Sequence, residues 1–350
     1  MKKRNTTIHL PVSGKKASLG VAIEEYALSY VESVASSRGI SVTRFGEVAF
    51  ETDSADHDAR NAEIAHTLET IRRRSKTKTL RIALPDGAAT FFEMTLPESD
   101  PFLLEHMIER EIKKAIGDRQ EFVMQSEILY REKNNTKVAV TMLPQPPIDE
   151  LKALAKKADF KLEYVGLSTE IAAELIGLDE IPASIVISIR ARETSISILS
   201  KGSLVLEEIV PTGTDVWIEK VMEHFNVNAK TAGEAIFFDG ISFSPGHNAV
   251  TKVLRTELNK LVNAAEKTFL YWHVDCRKEK ECRVREVTLA GIGASVPGLS
   301  GYLESALHIE TRTPEVFKNV PISNDVPELT EAESLRYLPA LALAIKGFRK

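Results

Sequence analysis

The order strand, strand, strand, helix occurs twice along the chain, and this repeat limits the folds that the sequence can adopt. Apolar and β-branched residues cluster between turn residues three times within the first 50 positions and three times again between positions 184 and 210. A stretch with helical spacing of apolar residues follows each set, ending near Arg74 and near Phe225. Two such copies predict a duplicated α/β fold with two halves around a central cleft. The predicted strands span 19–23, 28–34 and 42–50 in the first copy, and 184–190, 194–199 and 204–210 in the second.

An α+β subdomain is predicted to interrupt the first half between residues 80 and 165. Ser99 or Asp100 can cap its first helix, and Pro101 fits an opening helical turn because no N–H is needed there. In the first half itself, Asp53 and Ser54 are predicted to cap the helix that ends near Arg74. The predicted elements of the subdomain are strands at 80–84, 90–96, 121–130 and 137–143 and helices at 101–116 and 148–158.

These elements divide the chain into three predicted parts. The first half comprises residues 1–79, 166–182 and 331–350, where an Ala/Leu helix is expected to pack back onto the beginning of the chain. The second half comprises residues 183–330 and includes a helical insertion at 214–283.

Charge and cysteine content exclude several classes of function. The formal net charge is -5, with 45 Lys and Arg against 50 Asp and Glu, so no positive field favours nucleic acid or acidic lipid. Two cysteines in 350 residues suit a reducing compartment rather than a disulfide scaffold. The basic start, Met1 to Arg4, is not followed by the apolar stretch of a signal peptide, and the sequence has no run long enough to span a bilayer. We therefore expect a cytoplasmic protein that reaches a membrane only through a partner.

Five segments of the chain have an order and spacing that match a known family: ALPDGAATFFEMTLP at 83–97, EYVGLSTEIAAELIG at 163–177, ISILSKGSLVLEEIVPTG at 196–213, LAGIGASVPGLSGYLESAL at 289–307 and LPALALAIKGF at 338–348. Together they resemble the PilM family of type IV pilus assembly proteins, which is itself similar to the actin-like cell-division protein FtsA. The predicted subdomain also falls where this family inserts its own, between the two parts of the first half. The resemblance implies an actin-like, ribonuclease H-like fold and a cytoplasmic scaffold at the inner face of the cytoplasmic membrane. The implied partners are the N-terminal tail of a PilN-like inner-membrane protein and pilus motor ATPases.

The first phosphate-binding hairpin that the resemblance implies has lost its polar pattern. The family has an Asp, then a Gly and small hydroxyl residues, then a Lys, because backbone N–H groups must approach the phosphate oxygens closely. The matching positions are Ala22, Glu24, Glu25, Tyr26 and Ser29. A carboxylate repels a phosphate charge at 4 Å by about 1 kcal/mol in water and by about 4 kcal/mol at an effective dielectric constant of 20. This turn therefore predicts no phosphate binding.

The second implied hairpin, at residues 186–199, departs from the family pattern in the same way. Ser188 stands at the position of the Asp, and Arg190 stands at the position of the Gly. Arg190 and Arg192 can attract an anion, but their long side chains would fill the turn that should present backbone N–H groups. Phosphate binding at this turn is therefore disfavoured.

A glycine-rich loop is the one implied nucleotide element that persists. Gly291, Gly293 and Ala294 would let an adenosine approach the backbone, and Lys230 and Glu234 match the region that contacts adenine and ribose in actin-like proteins. Two structural readings compete with this residual adenosine site. A tight turn between packed elements also needs small residues, and Lys230 and Glu234 stand one helical turn apart, as surface ion pairs do.

The sequence thus predicts a pseudo-ATPase, which is not an enzyme and has no required cofactor, because phosphoryl transfer depends on positioning and stabilising the phosphates. ATP binding is possible but disfavoured. The alternative is an active actin-like ATPase in which nucleotide regulates polymerisation or partner binding.

Two further groups of residues invite a functional interpretation. His273, Cys276 and Cys282 offer only three ligand types and match no closed zinc pattern, so no metal site is predicted. Glu207 and Glu208 are interpreted as a solvated strand face.

Overall fold

The structure is a computed structural model that describes most of the chain. The predicted caps Asp53 and Ser54, and both cysteines, lie outside the described residues. The described residues are 17–37, 39–51, 56–117, 121–178, 181–241, 249–275, 283–317, 320–323, 326–327 and 329–348.

The first sheet has five strands in the order β3-β2-β1-β4-β8. Its first three strands form consecutive antiparallel hairpins, and the next two join parallel to β1. β1 is buried along its whole length, as expected of a central strand covered on both faces. The strands are β1 (Ala17–Ile23), β2 (Ala27–Ser36), β3 (Gly39–Ala49), β4 (Thr79–Leu84) and β8 (Lys161–Leu167).

The second sheet repeats this topology in the order β11-β10-β9-β12-β13. Again the first three strands are antiparallel neighbours, and the last two are parallel to the central strand β9. The duplication predicted from the repeated element order is therefore present in the strand pairing. The strands are β9 (Ala183–Ile189), β10 (Thr194–Ser200), β11 (Ser203–Val210), β12 (Glu286–Ala290) and β13 (Glu310–Arg312).

Four helices cover the two faces of the first sheet. Leu19 and Val21 pack in one cluster with Ile64 and Leu68 of α1. On the other face, α10 contacts β1, β2 and β4, so the C-terminal helix packs onto the first half as predicted. The side chain of Asp56 caps α1 by accepting from the amide of Ala59 at 3.0 Å. The helices are α1 (His57–Arg74), α3 (Gln145–Lys157), α4 (Ser168–Ile176) and α10 (Leu338–Lys346).

A small sheet with its own helix lies within the first half. Its strand order is β5-β7-β6, with antiparallel pairing throughout. Leu104, Ile108 and Ile112 form the buried face of the helix and pack on the sheet. As predicted, Asp100 caps this helix, accepting from the amide of Leu103 at 3.0 Å. We call residues 90–144 the three-stranded unit; its elements are β5 (Thr90–Pro97), α2 (Pro101–Ile116), β6 (Phe122–Glu132) and β7 (Asn135–Pro144).

The predicted boundary of this insertion, residues 80–165, disagrees with the strand pairing. β4 and β8, at the two ends of that range, belong to the first sheet. The helix α3 also belongs to the first half, because it packs between α1 and β8. Parallel strands are joined by long connections, so neighbouring strands of a sheet can lie far apart in the sequence. For this reason β4 was assigned to the insertion rather than to the first sheet. β8 was not predicted as a strand at all.

Helices of the second half pack on one another and on its sheet. The long helix α7 contacts β10, β11, α5 and α8. Trp217 of α5 and Trp272 of α7 are fully buried there. The helix α8 begins at Leu299, directly after Gly298, which has a left-handed backbone conformation with φ +78°. The helices are α5 (Thr214–Phe225), α6 (Ala229–Glu234), α7 (Ala249–Asp275) and α8 (Leu299–Leu307). The short α9 (Glu331–Ser334) belongs to the C-terminal segment that leads to α10, and it contacts the loop after β12.

Candidate functional site

A cavity of about 420 Å³ lies in the cleft between the two halves. Its lining comes from the β1–β2 turn, the β9–β10 turn, the segment after β4, the helix α4 and the loop after β12. Leu335, Arg336, Leu338 and Pro339 bring the C-terminal segment to the same cavity. We call this space the cleft cavity; it occupies the position in which a duplicated α/β fold places a ligand.

The β1–β2 turn presents two carboxylates and a phenol to the cleft cavity. We call residues 24–27 the first turn. The amide of Glu24 donates to the carbonyl of Ala27 at 2.8 Å, so it is committed to the hairpin. The hydroxyl of Tyr26 donates to Oε1 of Glu25 at 2.6 Å, and burial together with this bond raises the pKa of Tyr26 to about 12. Ala22 and Ser29, at the positions where the family has Asp and Lys, are direct cross-strand partners behind the turn.

The β9–β10 turn is closed by its own side chains. We call residues 190–193 the second turn. Arg190 donates through its amide to the carbonyl of Glu193 at 3.0 Å and through Nη2 to the carboxylate of Glu193 at 2.7 Å. Helix α5 begins beside it, and the amides of Thr214 and Asp215 donate to the carbonyls of Arg190 and Ala191 at 2.9 Å and 2.7 Å. The first two amides of this helix are therefore bonded to the second turn and are not free to bind an anion.

The two turns contact each other across the cleft. The guanidinium carbon of Arg192 lies 5.6 Å from the centre of the Tyr26 ring, within cation–π range. Arg190 faces Glu24 closely enough that Glu24 and Glu193 raise the pKa of Arg190 above its ordinary value, although burial lowers it. Charged and aromatic side chains of the two turns therefore face each other beside the cleft cavity.

Three acidic groups around Arg190 have raised pKa values. Burial raises the pKa of Glu24 to about 7 against the opposing effect of Arg190, and Asp86, Glu193 and Glu47 raise it further. Burial also raises the pKa of Asp86, although Thr169 donates to Asp86 through its amide at 3.0 Å and through its hydroxyl. Burial and Asp86 raise the pKa of Glu207 to about 8. Burial is the largest cause of all three shifts, so the pKa of each of these carboxyl groups is raised although a cation lies among them.

The sequence did not identify Asp86 as a residue of the site, and the prediction that the two glutamates of β11 are solvated was wrong. Asp86 directly follows the buried strand β4, and this position at the end of a central strand is the only signal that could have marked it. Glu207 and Glu208 are half-buried rather than solvated. Glu208 accepts from Nζ of Lys267 at 2.9 Å and from the hydroxyl of Thr268 at 3.1 Å, because α7 packs against β11.

The five residues of the predicted adenosine site are not all brought together. Gly291 lines the cleft cavity, whereas Gly293 and Ala294 are buried and do not line it. Gly291 has φ +73°, and a Cβ on it would lie 2.4 Å from the carbonyl oxygen of Ile189. This loop therefore needs glycine for packing against the end of β9. Lys230 and Glu234 lie outside the cavity lining and face each other on the exposed surface of α6 at 4.0 Å.

Neither a metal cluster nor a membrane span is found in the part of the chain that the structure describes. Within those residues, no group of three or more His, Cys, Asp or Glu side chains could hold a metal ion. The ring of His273 stacks on Phe269 with centroids 5.9 Å apart. No helix among the described residues combines the length and the apolar character needed to cross a bilayer.

Comparison with known proteins establishes the family. The profile of the type IV pilus assembly protein PilM matches residues 20–348. The chain belongs to the PilM family. A comparison with curated proteins found no significant match.

Solved structures confirm that this PilM-family chain has an actin-like fold. A chain of a PilM–PilN type IV pilus biogenesis complex is 16% identical and superposes with a TM-score of 0.73, covering 95% of this chain and 99% of that one. MreB5 of Spiroplasma citri, solved with AMPPNP, is 13% identical with a TM-score of 0.54, covering 95% and 96%. The ethanolamine utilization protein EutJ from Carboxydothermus hydrogenoformans is 13% identical with a TM-score of 0.52, covering 97% and 92%.

The residues of this PilM-family cleft do not fit a magnesium-bound triphosphate. The amides of Glu24 and Arg190 are bonded within their own hairpins, so neither of these two donors is available to a phosphate. The cations of the second turn are also engaged, Arg190 with Glu193 and Arg192 with Tyr26. Ser188 and Ala22 supply no carboxylate at the positions where the family holds hydrated Mg²⁺.

Proposed function

We propose that this chain is a non-catalytic scaffold of type IV pilus assembly that binds the N-terminal cytoplasmic tail of a PilN-like inner-membrane protein. Membership of the PilM family and the likeness to a chain of a PilM–PilN complex support the pilus system and the partner. In this proposal the protein is cytoplasmic and reaches the inner face of the cytoplasmic membrane through that partner. Pilus motor ATPases are proposed as further partners, on family grounds alone.

The observation that supports the non-catalytic part is the contact between the two turns. Phosphoryl transfer needs the phosphates held in line and their charge stabilised. Tyr26 and Arg192 meet where the phosphates would lie, and Glu24 and Glu25 add negative charge beside them. Each carboxylate that remains ionised opposes phosphate binding by about 1 to 4 kcal/mol at 4 Å, depending on the local dielectric constant. We therefore expect neither tight Mg-ATP binding nor turnover.

The three-stranded unit offers an apolar surface for the partner tail. Phe102 is 72% exposed and Leu103 is 49% exposed, although both begin a helix whose other face is packed on the sheet. The Phe102 ring meets the His106 ring edge-on, with centroids 4.4 Å apart. Exposed aromatic and leucine side chains on a rigid helix are typical anchors for a peptide. We place the docking surface at this end of α2.

A binding experiment with a synthetic peptide tests the proposal. The peptide carries the cytoplasmic tail of the PilN-like protein from the same organism, and calorimetry measures its affinity for the full chain. We expect a dissociation constant below about 100 μM, weakened about tenfold or more by the double substitution Phe102→Ala with Leu103→Ser. The matched control is Phe238→Ala, because Phe238 is 79% exposed but lies in the second half. Absence of binding up to millimolar peptide would remove the proposed partner.

The alternative, an active actin-like ATPase, makes a different prediction in a second experiment. Phosphate release from Mg-ATP is measured for the full chain alone and with the tail peptide present. The scaffold predicts no release above background in either sample, whereas micromolar ATP affinity with turnover would favour the ATPase. Both readouts are independent of the peptide affinity, so the catalytic and partner parts of the proposal can fail separately.

A further inference from the structure

A basic surface lies at the end of the first sheet where its parallel strands β4 and β8 begin. Helix α1 ends at Arg74 and leads into β4, and α3 ends at Lys157 and leads into β8. The two segments meet, because the amide of Lys161 donates to the carbonyl of Lys78 at 2.8 Å. We call residues 72–78 and 156–161 the basic face. Its charged residues are Arg72, Arg73, Arg74, Lys76, Lys78, Lys156, Lys157 and Lys161, against a single acidic residue, Asp159.

Asp159 holds the two segments of the basic face together. Nη2 of Arg72 lies 3.1 Å from Oδ2 of Asp159, and Nζ of Lys78 lies 3.3 Å from the same oxygen. The guanidinium carbon of Arg72 also lies 5.7 Å from the centre of the Phe160 ring, which is buried. One carboxylate is thus shared by two cations, and the rest of the face keeps its positive charge.

Six cations of the basic face are exposed and have no ion-pair partner among the described residues. Cations in the last turn of a helix are favoured by the helix dipole, which accounts for the four that end α1 and α3. The dipole does not account for Lys76 and Lys161, which lie outside the helices. Like charges on one surface repel one another, so this accumulation favours an anionic partner. The six are Arg73, Arg74, Lys76, Lys156, Lys157 and Lys161.

The total charge of the chain does not show this local excess. The formal net charge is -5, yet residues 72–78 contain five Lys and Arg and no Asp or Glu. An extended nucleic acid would also meet the acidic rest of the chain, and a single strand would need exposed aromatic rings for stacking. The one aromatic residue of the basic face, Phe160, is only 5% exposed. A membrane, in contrast, contacts only the face that is turned toward it.

We propose that the basic face binds directly to the surface of a bilayer rich in anionic phospholipids. Clusters of about four to eight Lys and Arg are typical of such binding, and each basic side chain near the headgroups strengthens it about fivefold. The choice of a membrane rests on the proposed function, in which a PilN-like protein brings the chain to the cytoplasmic membrane. The direct contact then determines which face of the chain is turned toward the bilayer.

Sedimentation with lipid vesicles tests this contact on the full chain, with no partner protein present. Vesicles of phosphatidylcholine with about 40% phosphatidylglycerol are compared with vesicles of phosphatidylcholine alone. We expect at least about fivefold tighter binding to the anionic vesicles at about 50 mM salt, and loss of this difference at about 500 mM salt, because salt screens exposed charges. Equal binding to both kinds of vesicle, or no binding to the anionic vesicles at low salt, would overturn the proposal.

Two exposed lysines without ion pairs supply a variant that should fold normally. Lys76→Gln with Lys161→Gln is expected to weaken binding to anionic vesicles about tenfold or more, because two positive charges are lost from the basic face. The matched control, Lys230→Gln with Lys252→Gln, changes the total charge equally at exposed helix positions of the second half and should bind like the native chain. Equal losses in the two variants would mean that total charge sets the affinity, and would contradict the proposal.

Further comparisons separate this inference from its alternatives. A short DNA duplex is titrated at low salt, and binding of the duplex without binding of anionic vesicles would assign the basic face to nucleic acid and overturn the proposal. Because the vesicle assay contains no PilN-like protein, vesicle binding and binding of the tail peptide can fail separately. The comparisons of lipid and of salt use the native chain, so they decide the proposal even if the double variant does not fold.

Discussion

The guanidinium carbon of Arg192 lies 5.6 Å from the centre of the Tyr26 ring, and this contact joins the two turns that face each other across the cleft. One residue comes from the β1–β2 turn and the other from the β9–β10 turn, so the contact links the two halves of the duplicated fold. In an actin-like arrangement, the same space separates two phosphate-binding turns. Here a cation and an aromatic ring contact each other in this space, so a side-chain contact connects the two halves across the cleft.

A double-mutant cycle tests whether the contact between Tyr26 and Arg192 stabilises the folded chain. Tyr26→Ala and Arg192→Ala are made singly and together, and urea denaturation gives the free energy of unfolding of each variant. We expect a coupling of about 0.5 to 1 kcal/mol, the usual value for a partly exposed cation–π pair. The control cycle combines Arg192→Ala with Phe45→Ala, since Phe45 packs on Tyr337, with ring centroids 5.1 Å apart. A Tyr26–Arg192 coupling no larger than that of the control would show that the turns are independent.

The strands of the repeated unit could be predicted from the sequence, whereas the outer parallel strands could not. β1, β2, β9 and β10 carry apolar and β-branched runs because both their faces are covered. β8 and β13 are equivalent edge strands of the two sheets, and both were missed. Both carry charged residues, as edge strands commonly do, and β13 has only three residues, so their sequences resemble loops.

The loss of the phosphate pattern was visible in the sequence, but the acidic cluster around Arg190 was not. Glu24, Asp86 and Glu207 come from three distant segments, and only the fold brings them to one charged group. A raised pKa depends on burial and on charged neighbours from other helices and strands. Neither can be read from the composition of the sequence or from the spacing of its residues. The acidic cluster around Arg190 could therefore be recognised only from the structure.

Thr141 is expected to connect the three-stranded unit to the second half. Its buried hydroxyl donates to the carbonyl of Leu204 at 2.6 Å, from β7 to β11. Thr141→Val keeps the shape but leaves this carbonyl without the hydroxyl donor, so we expect a loss of about 1 to 3 kcal/mol in the free energy of unfolding. Thr95→Val on the exposed face of β5 is the matched control and should change stability by less than about 0.5 kcal/mol. If urea titration gave the same change in stability for Thr141→Val and Thr95→Val, the contact between β7 and β11 would not depend on this hydrogen bond.

Gly20 is expected to control the docking of the C-terminal helix. A Cβ at this position would lie 2.1 Å from the carbonyl oxygen of Ala340, so Gly20→Ala must push α10 away from β1. We expect a destabilisation of about 3 kcal/mol, measured by thermal and urea unfolding. The control is Gly301→Ala, because Gly301 lies within α8 with nothing near its Cβ position, and this change should stabilise by up to about 1 kcal/mol. A neutral Gly20→Ala would mean that α10 packs less tightly than its contacts indicate.

The two glutamates with strongly raised pKa values are expected to make the protein less stable as the pH rises. Glu24 and Glu207 titrate near 7 and near 8 in the folded chain, against a usual value of 4.5, so the folded state holds their protons more tightly than the unfolded state. Stability from these groups is therefore complete below about pH 4.5 and is lost as the pH rises through 7 and 8. Because both side chains are only half-buried, we expect about 1 to 3 kcal/mol from each.

Urea titrations at pH 5.5 and pH 8.5 should show this loss of stability in the native chain, and the double substitution Glu24→Gln with Glu207→Gln should largely remove it. Glu98→Gln should leave the slope unchanged, and a native chain that gains stability over this interval would contradict the buried acidic cluster.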